Sequence, residues 1–404
     1  MLNTVELFAG CGGLLEGFEK TGRYRPLAAV EWEKAPCENL RRRLKDGWGM
    51  QDADERVIRF DIQRTDELFK GWKDDPEYGS GKGLSALIGN ERIDVVTGGP
   101  PCQAYSIAGR VRDENGMRYD YRNYLFESYL RAVSILKPKA VLFENVPGLL
   151  SAKPGDGSRP IAEIIREEFE KTGYSVPKDF SDALADMTEY GVPQNRKRLI
   201  ILGLSKAEYG DRCGEMLSRY YKELLPEMKV SEKKTVRDAI GDLPPLFPLG
   251  STEGKGKASH GSSKPPVDNH VARWHSERDV GIFRMLAEDV ESGENRYASA
   301  DALKKLYSEM TGKTSNVHKY HVIRWDEPSN LIPAHLYKDG LRHIHPDSKQ
   351  ARSVTVREAA RLQTFPDDYV FIGSAGAAFK MIGNAVPPLF AEKAALALSR
   401  LLEE

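Results

Sequence analysis

Short apolar runs and amphipathic stretches alternate along the first 205 residues. Residues 5–8, 26–31, 57–61, 94–97, 140–144 and 199–202 are apolar runs of strand length. Between them, residues 14–20, 35–45, 124–136 and 161–172 place apolar side chains at helical spacing. Strands that alternate with helices predict a mostly parallel sheet covered on both faces. The pattern breaks after Gly203. From there to about Tyr320 the chain is polar, with a Pro-rich stretch (Leu243-Pro244-Pro245-Leu246-Phe247-Pro248) and a Gly/Ser/Lys stretch at 250–264. Both are loop and boundary signals. Helical periodicity returns at 355–363 and 389–402. The expected layout is a large α/β domain over 1–205, a different, smaller inserted domain over 206–350, and a C-terminal return over 351–404.

Composition narrows the class. With 404 residues, 40% of them hydrophobic, the chain can bury at least one large core. Its apolar runs fall well short of the ~20 residues that span a bilayer, and residues 4–8 read as a strand rather than a signal peptide. A soluble, intracellular protein is expected, with no membrane partner. The four cysteines, Cys11, Cys37, Cys102 and Cys213, form no CxxC pair and no zinc-spaced cluster, so neither a disulfide framework nor a metal is expected. A net charge of −1 speaks against a globally basic nucleic-acid protein, although phosphate contact needs only a local basic face.

The strand ends carry the candidate chemistry. Leu7-Phe8-Ala9-Gly10-Cys11-Gly12-Gly13 follows the first strand and opens a helix, a turn where glycines let backbone approach a ligand. Plain packing would use the same glycines. The turn has neither the GxGxxG order of nicotinamide folds nor the Gly-Lys-Ser/Thr of a P-loop. The second strand ends in Glu31, 19 residues after Gly12, where a carboxylate can accept from two ribose hydroxyls. Trp32 can stack on an adenine, and Asp61-Ile62 offers an amine acceptor beside an apolar wall. No basic residue accompanies the glycines, which favours a phosphate-free nucleoside such as S-adenosylmethionine. Farther on, Gly98-Gly99-Pro100-Pro101-Cys102-Gln103 places a thiol just past a strand on a rigid turn, a candidate nucleophile. Glu144 ends another strand. Gln194-Asn195-Arg196-Lys197-Arg198 precedes the next. Taken alone, Glu144 and Arg198 read equally as surface charges.

Together these segments resemble the ordered motifs of the bacterial-type C5-cytosine DNA methyltransferases. Phe-Ala-Gly-x-Gly-Gly is similar to the first motif, Pro-Pro-Cys-Gln to the nucleophile motif, and Glu144-Asn145-Val146 to the one that follows about forty residues later. Gln194-x-Arg196-x-Arg198, the stretch from Thr355 to Pro366, and Gly383-Asn384-Ala385-Val386-Pro387 match the remaining ones. The resemblance covers about residues 4–203 and 320–400. Ala385 departs from a frequent Ser, and Pro100-Pro101 from a form with one proline.

The resemblance implies a Rossmann-like S-adenosylmethionine-dependent fold with an inserted target-recognition domain, and methyl transfer to C5 of cytosine in a specific duplex sequence. Cys102 would attack C6. Glu144 would contact N3 and the exocyclic amine, Arg198 would hold O2, and Arg196 would support the site. Phe8, Glu31, Trp32, Asp61, Ile62, Pro101, Leu125, Asn384 and Val386 would line the cofactor pocket, with Gly10, Gly12 and Gly13 as its backbone cradle. The position of Asn384 predicts that the C-terminal helix folds back beside the first strand. Gln103, Ser106 and Gln194 would touch the DNA substrate. Residues 106–122, with Gly109, Arg110, Arg112, Gly116, Arg118 and Arg122, resemble a loop that closes over a flipped base. In the insert, Lys255, Lys257, His260, Lys264, His270, Arg273, Trp274 and His275 could contact DNA or belong to a solvated loop. The expected setting is a monomer in the bacterial cytoplasm, associated with the nucleoid, within a restriction-modification or related defence system. A companion restriction endonuclease is a partner that this setting admits. A tRNA cytosine methyltransferase is the alternative, but that branch carries a Cys-Phe-Thr stretch that this chain lacks. An inactive homologue would have lost Cys102 or Glu144, and adenine amino-methyltransferases use Asp/Asn-Pro-Pro-aromatic instead.

Overall fold

In the computed structural model, the residues described are 1–101, 125–153, 159–249, 258–338 and 340–403. They form two compact units, one of residues 1–190, 196–231 and 385–404, the other of residues 191–195 and 232–384.

The first unit is built on an eight-stranded sheet. Its strands are β1 (Leu2–Leu7), β2 (Tyr24–Glu31), β3 (Val57–Arg59), β6 (Val95–Gly98), β7 (Ala140–Asn145), β8 (Tyr174–Ser175), β9 (Leu184–Asp186) and β10 (Lys197–Ser205). A separate small hairpin pairs β4 (Trp72–Asp75) with β5 (Gly79–Gly81). The order across the sheet is β3-β2-β1-β6-β7-β10-β8, with β9 also paired to β10. β1, β2, β3, β6 and β7 run parallel, as the strand–helix alternation predicts. The chain winds outward from β1 to β3 and then crosses to β6 on the other side of β1. That reversal leaves a crevice at the carboxyl ends of the strands.

The sixth strand read from the sequence, β10, is an antiparallel member of this mostly parallel sheet. It runs antiparallel to β7, with Ile200 opposite Glu144 and Leu199 opposite Asn145. The reversal brings the beginning of β10 to the edge where β7 ends. A parallel β10 would have started at the opposite edge.

Buried Val5, Leu7, Val96, Val141, Phe143 and Ile201 form the sheet's core, and Phe143 packs edge-on to Tyr129 and Phe169. The C-terminal helix, Pro388–Leu402, packs on the Gly13–Lys20 helix that follows β1. A Cβ on Gly17 would stand 2.5 Å from both Ala391 Cβ and Pro388 O, so the two helices touch along a glycine. Tyr24 Oη donates to Ala395 O at 2.7 Å, tying β2 to the same helix.

The second unit contains what the sequence leaves as polar loop. Ser276 caps the helix Glu277–Ser292, and Ser299 caps Ala300–Thr311. Both helices end on a left-handed glycine, Gly293 (φ 73°) and Gly312 (φ 68°). They bury Ile282, Phe283, Leu286, Ala287 and Leu306 against Tyr320, Val322 and Ile344. A two-residue ladder pairs β11 (Phe247–Pro248) with β12 (His260–Gly261). The helix Val356–Leu362 begins at a Thr355/Glu358 capping box, and Glu358 is gripped by Arg352 through bonds of 2.7 and 2.6 Å. The pair is fully buried, and the Thr355 motif falls within this unit. Among the described residues no helix is long and apolar enough to cross a membrane.

Candidate active site

The turn after β1 is held in a conformation that few residues adopt. Phe8 (φ 56°), Gly10 (φ 55°) and Gly12 (φ 79°) are all left-handed. Phe8 has a Cβ and carries strain there, of the kind that accumulates at ligand sites. Ala9 N–H donates to Val30 O, and Gly12 N–H donates back to Ala9 O. A Cβ on Gly13 would stand 2.3 Å from Val386 O, so Val386 backs the turn. Gly10 faces open space. Beneath the turn, Glu6 on β1 is buried, and its carboxyl, pushed by that burial up to about 8, accepts from Leu15 N–H.

Glu31 closes the other side. Its Oε2 accepts from Gly10 N–H at 2.8 Å, and its Oε1 accepts from Trp32 N–H at 2.9 Å and Glu33 N–H at 2.8 Å. Burial raises its carboxyl above the usual range, and the three N–H donors act against that rise. Glu31 lines a pocket open to solvent together with Phe8, Val30, Trp32, Phe60, Asp61, Ile62, Gln63, Pro101 and Leu125. Seven of these are expected from the sequence. Val30, Phe60 and Gln63 are additions that strand-end reasoning could have reached, since they flank Glu31, Asp61 and Ile62. Among the described residues the lining holds two carboxylates and no cation, which suits a cationic nucleoside. Asn384 is the last residue of the Ala375–Asn384 helix in the second unit.

The second cluster sits where β7 ends and β10 begins. Glu144 Oε1 meets Arg198 Nε at 2.9 Å, with both side chains mostly buried. Burial depresses the Arg198 guanidinium, and Glu144 opposes the effect. Arg196 is fully buried and donates to Ala385 O at 2.8 Å, next to the Val386 that backs Gly13. Its guanidinium is pulled well down by burial and then by Arg198. Gly99 lies against the pair: a Cβ there would stand 2.5 Å from Glu144 Oε2. Sequence reasoning treats Gly99 only as part of a turn. Asn145 Oδ1 accepts from Val146 N–H at 2.8 Å, which fixes the chain just past Glu144.

Gln194 has a different task from the expected substrate contact. It is fully buried in the second unit, its amide nitrogen donates to Leu362 O and to Gln363 Oε1, and its oxygen accepts from Ile332 N–H. The side chain braces that unit, and no polar atom of it is left to meet a base. Cys102, Gln103 and Ser106 lie outside the described residues, as do residues 106–122 and Lys255 and Lys257.

Comparison with known proteins agrees with this geometry. A family model for C-5 cytosine-specific DNA methylases matches residues 2–400. The type II methyltransferase M.Bpa9945I of Bacillus paralicheniformis is 34% identical over 95% of this chain and 96% of its own length. M.PspPI of Psychrobacter sp. is 33% identical over 98% of this chain and 79% of its own. In fold, the chain is similar to a DNA modification methyltransferase encoded within an E. coli prophage (TM-score 0.65, 23% identity, all of both chains covered).

Proposed function

We propose a mechanism from one premise: the chain belongs to the C-5 cytosine-specific DNA methylase family, and is therefore a DNA (cytosine-5-)-methyltransferase with S-adenosylmethionine as methyl donor. The observation that carries the mechanism is the Glu144–Arg198 pair, held at the same sheet edge as the carboxylate-lined pocket.

The pocket fits the donor. Glu31 would hold the ribose hydroxyls, Trp32 would stack on the adenine, Asp61 would accept from its amine beside Ile62, and Phe8, Pro101 and Leu125 would complete the wall. Gly10, Gly12 and Gly13 give backbone access, and Val386 supports them from behind. Bound there, S-adenosylmethionine supplies an electrophilic methyl group on a cationic sulfonium. On the substrate side, C5 of cytosine is a poor nucleophile until a thiolate adds to C6. Cys102 makes that C6–S bond, which sends electron density to C5 and toward N3. Glu144 contacts N3 and the exocyclic amine, and Arg198 holds O2, so the ring's new charge meets groups already in place. After C5 has taken the methyl group it loses its proton, the C6–S electrons return to sulfur, and the ring is aromatic again.

The target cytosine must leave the duplex to reach Cys102, which requires base flipping. Residues 106–122 close over it, and Gln103 and Ser106 contact the DNA. The segment 206–350 chooses the sequence, and the enzyme works as a monomer. Its relatives are named type II methyltransferases, which supports a place in a restriction-modification system with a companion endonuclease, in the cytoplasm and at the nucleoid.

A duplex with 5-fluorocytosine at the target position tests the covalent step. Fluorine cannot leave C5 as a cation, so enzyme, methylated base and DNA should remain joined. The adduct should require S-adenosylmethionine, survive denaturing electrophoresis and map to Cys102. Cys102→Ser should form none, because its hydroxyl ionises far less readily than a thiol. The mechanism is falsified if the enzyme methylates its natural site yet traps nothing, or if another residue carries the DNA.

A further inference from the structure

The cofactor pocket has an outer layer that none of the sequence motifs marks. Phe60, just past β3, lines the pocket and is buried. Trp72 of the small β4–β5 hairpin stacks on it, with ring centroids 4.0 Å apart and planes 26° from parallel. Tyr78 of the same hairpin meets the Phe60 ring at 5.0 Å. Arg64 also lies over that ring, its Cζ 4.7 Å from the centroid, and its Nη1 donates to Asp75 Oδ2 of the hairpin at 2.6 Å.

A second connection reaches the part of the wall that Trp32 forms. Trp32 N–H donates to Glu31 Oε1, and Trp32 O accepts from Arg59 Nε at 3.3 Å. Arg59 then crosses to the hairpin's turn, where Nη1 donates to Glu77 O and Nη2 to Glu77 Oε1, both at 2.9 Å. As a surface ion pair this contact would add little. The guanidinium, however, also takes two backbone carbonyls, so it ties main chain beside the pocket to main chain in the hairpin. The hairpin's base is closed by glycines: a Cβ on Gly83 would stand 2.4 Å from Gly71 N, an approach that only glycine permits.

An isolated hairpin of two short strands is marginally stable at best, so this one is ordered by the pocket residues it covers. The dependence runs both ways. Phe60 precedes Asp61 and Trp32 follows Glu31, which puts a hairpin support next to each carboxylate of the pocket. A wall that is in place before the ligand arrives spares the entropy of ordering it on binding.

We infer that the β4–β5 hairpin preorganises the adenosine end of the cofactor site, with Trp72 and Arg59 as positioning residues that act through Phe60 and Trp32. The inference rests on the reading that this pocket holds S-adenosylmethionine.

The test uses the full chain and its target duplex, found by bisulfite sequencing, with every titration run below the variant's thermal midpoint. Trp72→Ala should raise the KM and the calorimetric Kd for S-adenosylmethionine roughly 2- to 10-fold, the effect of one aromatic pair. Arg59→Ala should weaken binding in the same direction, and Trp72→Phe should restore most of what Trp72→Ala loses. S-adenosylhomocysteine should lose affinity by the same factor, because it differs only at sulfur. The methylation rate at saturating cofactor should match wild type in each variant, which separates a disturbed wall from a general loss of structure. If Trp72→Ala does not fold, Arg59→Ala carries the test, since that side chain is 24% exposed. Wild-type cofactor affinity in the hairpin variants overturns the inference, as does a lowered saturated rate with Kd unchanged. Glu31→Ala separates the two ideas. If it weakens cofactor binding while the hairpin variants are silent, only the hairpin inference fails; if it is silent as well, the reading of the pocket fails with it.

Discussion

Replacing Gly99 by alanine should disable the enzyme without unfolding it. Gly99 does not have a positive φ, so its backbone accepts an alanine. The new Cβ would stand 2.5 Å from Glu144 Oε2, and ordinary contact begins at 3.4 Å. The carboxylate must retreat by about 0.9 Å, which is easy for the free end of a side chain and costs little stability. The retreat also disturbs the 2.9 Å pairing with Arg198. A misplacement of about 1 Å at reacting groups lowers rates by on the order of 100-fold. Single-turnover methylation of the target duplex should therefore show a drop of about that size in the chemical step. S-adenosylmethionine affinity by calorimetry and the thermal midpoint should stay near wild type. Gly98→Ala is the contrast. Its Cβ would meet Leu7 O at 2.5 Å and Tyr129 Cε2 at 2.9 Å, so backbone within the β1–β6 pairing would have to move and stability should fall. Wild-type turnover in Gly99→Ala would refute the placement of Glu144 at the reacting base.

Glu31→Ala removes a carboxylate that anchors Gly10 N–H and lines the pocket. A charge-assisted hydrogen bond is worth ~1.5–3 kcal/mol, so S-adenosylmethionine binding should weaken roughly tenfold or more, and unchanged calorimetric affinity would remove Glu31 from the site. Arg352→Met leaves Glu358 buried without its cation, beside a His345 that burial pushes down to about 3 and so keeps neutral. Breaking such a pair costs about 3–5 kcal/mol, read by urea unfolding of the second unit through the fluorescence of Trp325, which packs on His345. A loss below about 1 kcal/mol would show that the pair is dispensable.

The sequence reveals strand positions well because apolar runs are visible wherever a sheet is buried on both faces. It does not reveal strand direction. The residues of β10 read the same whether the strand lies parallel or antiparallel to β7, and only the register of Ile200 against Glu144 settles the matter. The helices Glu277–Ser292 and Ala300–Thr311 were hidden for another reason. Their apolar stripes are narrow and their other faces are charged, so the window average reads as loop. Their ends were legible: Ser276 stands three residues before Asp279, and Gly293 and Gly312 sit just past the last turns. Polar side chains were the least legible. Gln194, His260, His270 and His275 are polar by type and interior by position, because each finds backbone or side-chain partners only the folded unit supplies.

The reversed strand also explains how cationic charge gathers at the proposed reaction centre. The antiparallel approach of β10 brings Arg198 to the carboxylate at the end of β7, and the buried Arg196 just before the strand feels the charges of both Arg198 and Glu144. Among the described residues, Arg198 paired with Glu144 and Arg196 held nearby on Ala385 O leave an excess of positive charge, in surroundings where burial lowers both guanidinium groups. Arginine keeps its proton at neutral pH even so, so the site maintains a positive potential before any substrate arrives. On the proposed mechanism the attacking group is a thiolate and the ring it enters becomes electron-rich. Both are anionic developments, and both are favoured by charge fixed in advance rather than recruited during the reaction. Anchoring Arg196 on Ala385 O, one residue before the Val386 that supports Gly13, makes a single connection serve the cation cluster and the cofactor turn.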